Sequence, residues 1–375
     1  MADEKELSND VLESAKVNKG MTWNKISIKK SDGEIQEVQT PIIISASRST
    51  DIPAFYSNWL INRIKEGYVK WKNPFNSVPL YVSFEKARLF VFWSKNHKPL
   101  LKHLDFLDER GYNYYFQFTL NDYVAEKLEP NVPTVQSRIE TFIKLSEQVG
   151  KQKVIWRFDP LILTETIGVD ELLRKVEDIG NQLNDYTDKL IFSFADISLY
   201  NKVQNNLRKN AIPYQEFKEH TMKEFAAGLQ KLNEMWHFEL ATCAEKIPLE
   251  KYGIIHNKCV DDDLIIKLFP YDKVLMNFLG VKITPPDMFS PNRAIEKKRN
   301  NKDSGQRQFC GCIISKDIGE YNTCPHLCEY CYANASKEIA LKNWQLHIRN
   351  PNSETIKGNK KITAKKEAVM NKINY

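Results

Sequence analysis

KVIWRFDPLILTETIGVDELLRKVEDIGNQLNDYTDKLIFSFA, residues 153–195, holds a strand-like run, an amphipathic segment and a second strand-like run, in that order. KVIWRF (153–158) and KLIFSFA (189–195) are short and rich in β-branched and aromatic residues, whereas VDELLRKVEDIGNQL between them has the apolar spacing of a helix. Such a unit joins two parallel strands through a helical crossover.

The alternation extends outward on both sides. Upstream lie IIISAS (42–47) with YSNWLINRIKEG, whose Leu60, Ile61 and Ile64 share one helical face, and ARLFVFW (87–93) with HKPLLKHLDFLDERG, striped by Leu100, Leu101, Leu104 and Leu107. YNYYFQFTL (112–120) with PTVQSRIETFIKLSEQVG completes that half; downstream come a long helical stretch, YQEFKEHTMKEFAAGLQKLNEMW, then HFELATCA (237–244) and the weaker YGIIH (252–256). Six or seven such units predict an α/β fold with a parallel sheet, most economically a (βα) barrel or partial barrel. An open doubly wound sheet is the alternative, but no Gly-rich phosphate loop follows any of these strands. The expected organisation is an N-terminal arm and short β segment over 1–40, the barrel over 41–300, a cysteine-rich segment over 301–345 and a basic tail over 346–375.

A chain of 375 residues with 42% hydrophobic content can bury a full core. Its 54 basic and 48 acidic residues leave a net charge of only +6, so most charges neutralise one another on a mixed surface. Local basicity gathers at Lys360, Lys361, Lys365, Lys366 and Lys372, which permits a nucleic-acid partner without indicating one. The acidic start MADEKELSND has no apolar core of a signal peptide, and no apolar run is long enough to span a bilayer. A cytoplasmic protein without a membrane partner is expected.

In a barrel of parallel strands the reacting groups stand where the strands end. Those positions carry Ser45, Arg48, Ser49, Thr50 and Asp51, then Ser94, Lys95 and Asn96, then Thr119, Asn121 and Asp122. Arg157 and Asp159, Ser193 and Asp196, and Thr242, Cys243 and Glu245 follow. Lys95, Arg157, Asp159 and Glu245 are the candidate catalytic residues. Lys95 and Glu245 would bind or protonate a substrate; Arg157 and Asp159 would face a pocket or form a structural ion pair.

Five of the seven cysteines fall between Cys310 and Cys331, which fits metal binding better than disulfides. TCPHLCEYCYAN (323–334) spaces Cys324, Cys328 and Cys331 so that one short loop can hold three corners of a [4Fe–4S] cluster, leaving one iron free for a small molecule. A structural zinc site is the competing reading, although zinc normally takes four ligands. Cys243, Cys259, Cys310 and Cys312 remain, the number a second tetrathiolate site needs. They would hold a second [4Fe–4S] cluster or zinc, unless Cys243 and Cys259 are ordinary buried small hydrophobes.

The cysteine segment, with Tyr330 before the last cysteine, resembles the radical-SAM signature C-x-x-x-C-x-aromatic-C. More widely, SASRSTDIPAF (45–55), FWSKN (92–96), RFDPL (157–161), TCAE (242–245) and SKDIGEYNTCPHLCEYCYAN (315–334) are similar to a family of uncharacterised bacterial proteins with such a cluster at the C-terminus. The resemblance spans most of residues 41–334. It implies an enzyme that reductively cleaves S-adenosylmethionine to a 5′-deoxyadenosyl radical acting on an unknown substrate, supplied by an electron donor such as flavodoxin or ferredoxin. It also implies a circular permutation, since most of that superfamily carries the motif after the first barrel strand. Tyr330 would then lie near the adenine, and Arg48, Ser49 and Asp51 would meet the methionine carboxylate, amino group and ribose, or hold the rim as ion pairs. A zinc- or iron–sulfur-stapled nucleic-acid-binding or sensor protein without turnover is the alternative.

Overall fold

Seven of the strand-like runs assemble side by side in chain order: β1 (Ile43–Ala46), β2 (Leu89–Ser94), β3 (Asn113–Thr119), β4 (Val154–Leu161), β5 (Lys189–Phe194), β6 (Glu239–Thr242) and β7 (Ile254–His256). An eighth, β8 (Lys316–Asp317), pairs on the free side of β1. The computed structural model describes residues 23–30, 32–74, 76–284 and 294–358, so the N-terminal arm and the basic cluster from Lys360 lie outside the described residues. Every neighbouring pair in the sheet is parallel. The edge strands β7 and β8 do not pair with each other among the described residues, an arrangement consistent with a partial barrel.

Both faces of the sheet are covered, which is why its strands read as nearly continuous apolar runs. Ile44, Phe90, Phe92, Phe116, Phe118, Trp156, Phe158, Leu190, Phe192 and Leu240 point to the helical layer. Their neighbours Ile43, Leu89, Val91, Tyr115, Ile155, Ile191 and Ala241 point the other way, as the two-residue period of a strand requires.

The helical layer comprises α1 (Ser57–Glu66), α2 (Val135–Val149), α3 (Val169–Leu183), α4 (Asn201–Lys209) and α5 (Glu219–Trp236), with shorter helices between β2 and β3. Thr134 caps α2 by accepting from the Ser137 amide at 3.3 Å, and Gly67 ends α1 at a φ of 84° that other residues adopt only with strain. The opposite face is filled by two stretches that follow β7, residues 259–283 and 310–313, the first including α6 (Asp262–Leu268) and α7 (Lys273–Leu279). The sequence reading did not foresee this inner filling. Nor did it foresee the strands Tyr68–Lys72 and Pro79–Ser83 inside the first crossover, which join Lys25–Lys29 and Ile35–Gln39 in a separate four-stranded sheet.

The cysteine loop follows β8, and α8 (Lys337–Arg349) then docks on the first crossover. Trp344 packs its ring 5.6 Å from Phe55 and 5.3 Å from Tyr56, and Trp59 donates its indole N–H to the Ser353 carbonyl at 2.8 Å. A two-residue strand has little ladder of its own. β8 is held instead by the Asp317 carboxylate, which accepts from Ser45 Oγ at 3.0 Å, Ser47 Oγ at 2.7 Å, the Arg48 amide at 2.7 Å and the Gly319 amide at 2.9 Å. No described helix is long and apolar enough to cross a membrane.

Two outcomes are expected. An added methyl at Gly180 in α3 would stand 2.6 Å from the Trp236 ring of α5, whose Nε1 is held by Asn181 Oδ1 at 2.9 Å. Gly180→Ala should therefore lower stability in urea by about 1–2 kcal/mol, overpacking outweighing the helix-propensity gain; a rise in stability would mean that the ring yields. Asp317→Asn turns an amide donor toward groups that already donate, at a cost of about 2–3 kcal/mol. Hydrogen exchange should accelerate over residues 315–335 and stay unchanged in β3–β5; equal acceleration in both would show that Asp317 does not hold the seam specifically.

Candidate functional site

Because all eight strands run the same way, the loops after them gather on one rim. Asp51, five residues past the end of β1, is the hub of that rim. Its Oδ1 accepts from the Ala54 amide at 3.0 Å and from Ser94 Oγ at 2.6 Å, and its Oδ2 from the Lys95 amide at 2.9 Å and His326 Nε2 at 2.9 Å. Burial works against its charge, but His326 and the other donors outweigh this and hold the carboxyl below its ordinary range. All of these partners are internal, so Asp51 ties the cysteine loop to the barrel. The loop is pinned at further points: Tyr56 Oη donates to the Thr323 carbonyl at 2.5 Å, Asn131 Nδ2 to the Pro325 carbonyl at 2.9 Å, and Asn334 Nδ2 to the Cys324 carbonyl at 2.9 Å.

Cys324, Cys328 and Cys331 therefore stand on one braced loop, Cys328 buried and the other two half-buried. Burial raises the pKa of each thiol above the cysteine range, so a metal would bind there by displacing protons. Beside Cys328, Lys95 Nζ donates to Glu129 Oε1 at 2.7 Å and to Tyr330 Oη at 2.8 Å. Tyr330 Oη also donates to Glu129 and accepts from Asn121 Nδ2 at 3.1 Å. Burial opposes the Lys95 charge, and Glu129 and Cys328 more than offset it, keeping the ammonium above its usual pKa.

Across the mouth, Arg157 Nη1 donates to Gln117 Oε1 at 3.0 Å and to Cys259 Sγ at 3.0 Å, while Nη2 pairs with Asp159. Asp159 also accepts from Ser193 Oγ, and its side chain stays 21% exposed. Glu245 accepts the Phe194 amide at 2.9 Å. Burial first, then Asp196 and Cys243, push its carboxyl up to about 8.

Lys95 and Tyr330 meet at the first cysteine loop as one constellation. Arg157, Asp159 and Glu245 gather instead near Cys243 and Cys259, whose sulfurs are 3.5 Å apart, with Cys312 adjoining Cys259. Arg48 joins this second group: its guanidinium stacks 5.1 Å from the Trp93 ring, and its electrostatic neighbours are Cys312, Asp317, Cys259 and Cys310. The Ser49 amide donates to Ser47 Oγ at 2.9 Å. Glu129, Asn131 and Asp317 escaped the sequence reading; the first two lie well beyond the end of β3, and the third ends a strand of two residues.

A cleft of about 310 Å³ opens where β4, β5 and β6 begin, lined among others by Lys151, Lys189, Glu239 and Asp261, at the rim opposite the cysteines. No curated protein matches the chain. Among solved structures, one described as a "putative alpha-L-fucosidase" from Bacteroides thetaiotaomicron is similar at 10% identity and a TM-score of 0.23, covering 62% of this chain and 81% of that one. A likeness of that size carries no argument about fold or activity. A family model described as a domain of unknown function, DUF1848, matches residues 43–333, a span that takes in β1, the whole rim and all seven cysteines. The chain belongs to the DUF1848 family.

Proposed function

We propose that this protein is an iron–sulfur enzyme that uses S-adenosylmethionine for radical chemistry, with Cys324, Cys328 and Cys331 as ligands of a [4Fe–4S] cluster. The observation that carries the reading is this triplet on one braced loop at the strand-end rim, following a strand that lies beside β1. That strand comes last in the chain yet neighbours the first strand–helix unit, as a circularly permuted barrel of the radical-SAM type would require.

The donor set fits such a group. The loop offers three thiols, one fewer than a structural zinc site takes and the number that leaves one iron of a cubane open. When bound, the cluster and S-adenosylmethionine supply reductive cleavage to a 5′-deoxyadenosyl radical that abstracts hydrogen from a substrate.

The chain's own groups divide the remaining work. Lys95 holds positive charge beside Cys328 and fixes the Tyr330 hydroxyl, leaving that ring to pack against an adenine. Asp159, at 21% exposure against 7% for Asp51, is the carboxylate open to the amino group of S-adenosylmethionine, and Arg157 orients it. Glu245 keeps its proton at neutral pH and can donate it, or a hydrogen bond, toward a substrate. The substrate is not specified by these groups. Electrons would arrive from a donor such as flavodoxin or ferredoxin.

Protein purified without oxygen should be brown, cleave S-adenosylmethionine to 5′-deoxyadenosine under a chemical reductant, and change its electron paramagnetic resonance signal when S-adenosylmethionine is added. Cys328→Ser should abolish the cleavage; a wild-type protein that is colourless and carries only zinc would sink the reading.

Glu245 also makes a pH prediction with a definite sign. Its carboxyl moves from an ordinary 4.5 to about 8 on folding, so between those values the unfolded chain has lost a proton that the native state keeps. The unfolded state binds fewer protons there, and stability falls as pH rises. Glu245→Gln removes this titration and should flatten the decline between pH 5 and 8 by roughly 3–4 kcal/mol in denaturant titrations. Parallel curves for variant and wild type would show that the group ionises normally.

A further inference from the structure

We infer that Cys243, Cys259, Cys310 and Cys312 form a second metal centre, of the tetrathiolate class, separate from the loop of Cys324, Cys328 and Cys331. It stands independently of the S-adenosylmethionine reading.

The four cysteines come from three distant stretches: the residue after β6, the connection after β7, and the Cys-Gly-Cys that precedes β8. They meet as a chain of pairwise contacts. Cys243 Sγ lies 3.5 Å from Cys259 Sγ, the Cys259 amide donates to Cys312 Sγ at 3.2 Å, and side-chain contacts continue from Cys259 to Cys312 and from Cys312 to Cys310. Gly311 lets the last two approach from the same backbone turn, since a Cβ there would stand 2.9 Å from Lys258 Cγ.

Two independent observations mark these sulfurs as built to carry charge. Four N–H donors aim at only two of them: Arg157 Nη1 at 3.0 Å and Asn257 Nδ2 at 3.1 Å at Cys259, and the Cys259 and Val260 amides at 3.2 and 3.4 Å at Cys312. A neutral thiol is a weak acceptor that needs no such shell, whereas hydrogen bonds to sulfur are what support and tune metal-bound thiolates. The second observation is a guanidinium nitrogen left unpartnered beside the sulfurs. Arg48 and Arg157 stack on the Trp93 ring at 5.1 and 5.4 Å, and Arg307 has Cys243 and Cys310 among its charged neighbours. Arg157 pairs with Asp159, Arg307 is exposed, and Arg48, whose one neighbouring carboxylate is Asp317, keeps its Nη2 buried without a hydrogen-bond partner. A buried guanidinium nitrogen without a partner calls for anions. Four thiolates around a zinc ion or a [4Fe–4S] cluster carry net negative charge and supply them; four neutral thiols do not.

The test begins with the full-length Cys324→Ala/Cys328→Ala/Cys331→Ala variant, purified without oxygen and checked for folding by circular dichroism. About one zinc, or about four iron with four sulfide, should remain per chain; either result supports the centre, and the metal assay says which it holds. Adding Cys312→Ser or Cys310→Ser to that background should remove at least nine-tenths of the remaining metal. Should the combined variants misfold, the wild-type chain reads the same quantity: metal beyond one cubane supports the centre. Zinc absent and iron no greater than one cubane overturns it, as does a Cys243–Cys259 disulfide mapped by mass spectrometry. Reductive cleavage of S-adenosylmethionine reports on the first loop separately, so the two readings can fail apart.

Discussion

One carboxylate holds the functional rim in place. Strand β8 offers two residues of parallel pairing to β1, too short a ladder to fix the loop that follows. Asp317 compensates by accepting two bonds at each oxygen, and all four donors lie within three residues of the β1–β8 seam. The position of the cysteine loop depends on this contact and on the Asp51–His326 bond a little farther out. Gly319 is required in the same place, because any side chain there would collide with Ser47.

From that anchor the rim divides into two electrostatic territories. Around the first cysteine loop two buried carboxylates, Glu129 and Asp51, face Lys95, Arg138 and His326. Around the other four cysteines the hydrogen-bond donors turn toward sulfur. The Trp93 ring is common ground to Arg48 and Arg157 and keeps both guanidinium planes oriented.

Much of the architecture was legible because a sheet buried on both faces writes itself as uninterrupted apolar runs. IIISAS, ARLFVFW, YNYYFQFTL, KVIWRF, KLIFSFA and HFELATCA all became strands of one parallel sheet. β8 was not legible, since two residues carry no period, and neither was the inner layer of residues 259–283 and 310–313, whose short helices resemble an outer layer in sequence. At the site, placement on the rim could be read but not the direction in which each loop turns. Asp51, expected to meet a cofactor, spends its acceptors on internal donors, and Arg48, expected beside the first cysteine loop, turns through Trp93 toward the second set. Glu129 gave no signal because it lies in an irregular connection, where neither period nor strand end marks it.

The pairing of β8 with β1 also fixes an order of events at birth. Ser45 and Asp317 are 272 positions apart, so on the ribosome β1 emerges long before the partner that covers its edge. Through that interval the nascent sheet carries an open edge beside an unfinished rim. Closure spans nearly the whole chain and belongs to the slow, non-local class of contacts. The rim around the first three cysteines can therefore be completed only after β8 docks, so the loop that carries them is among the last parts of the molecule to be set in place.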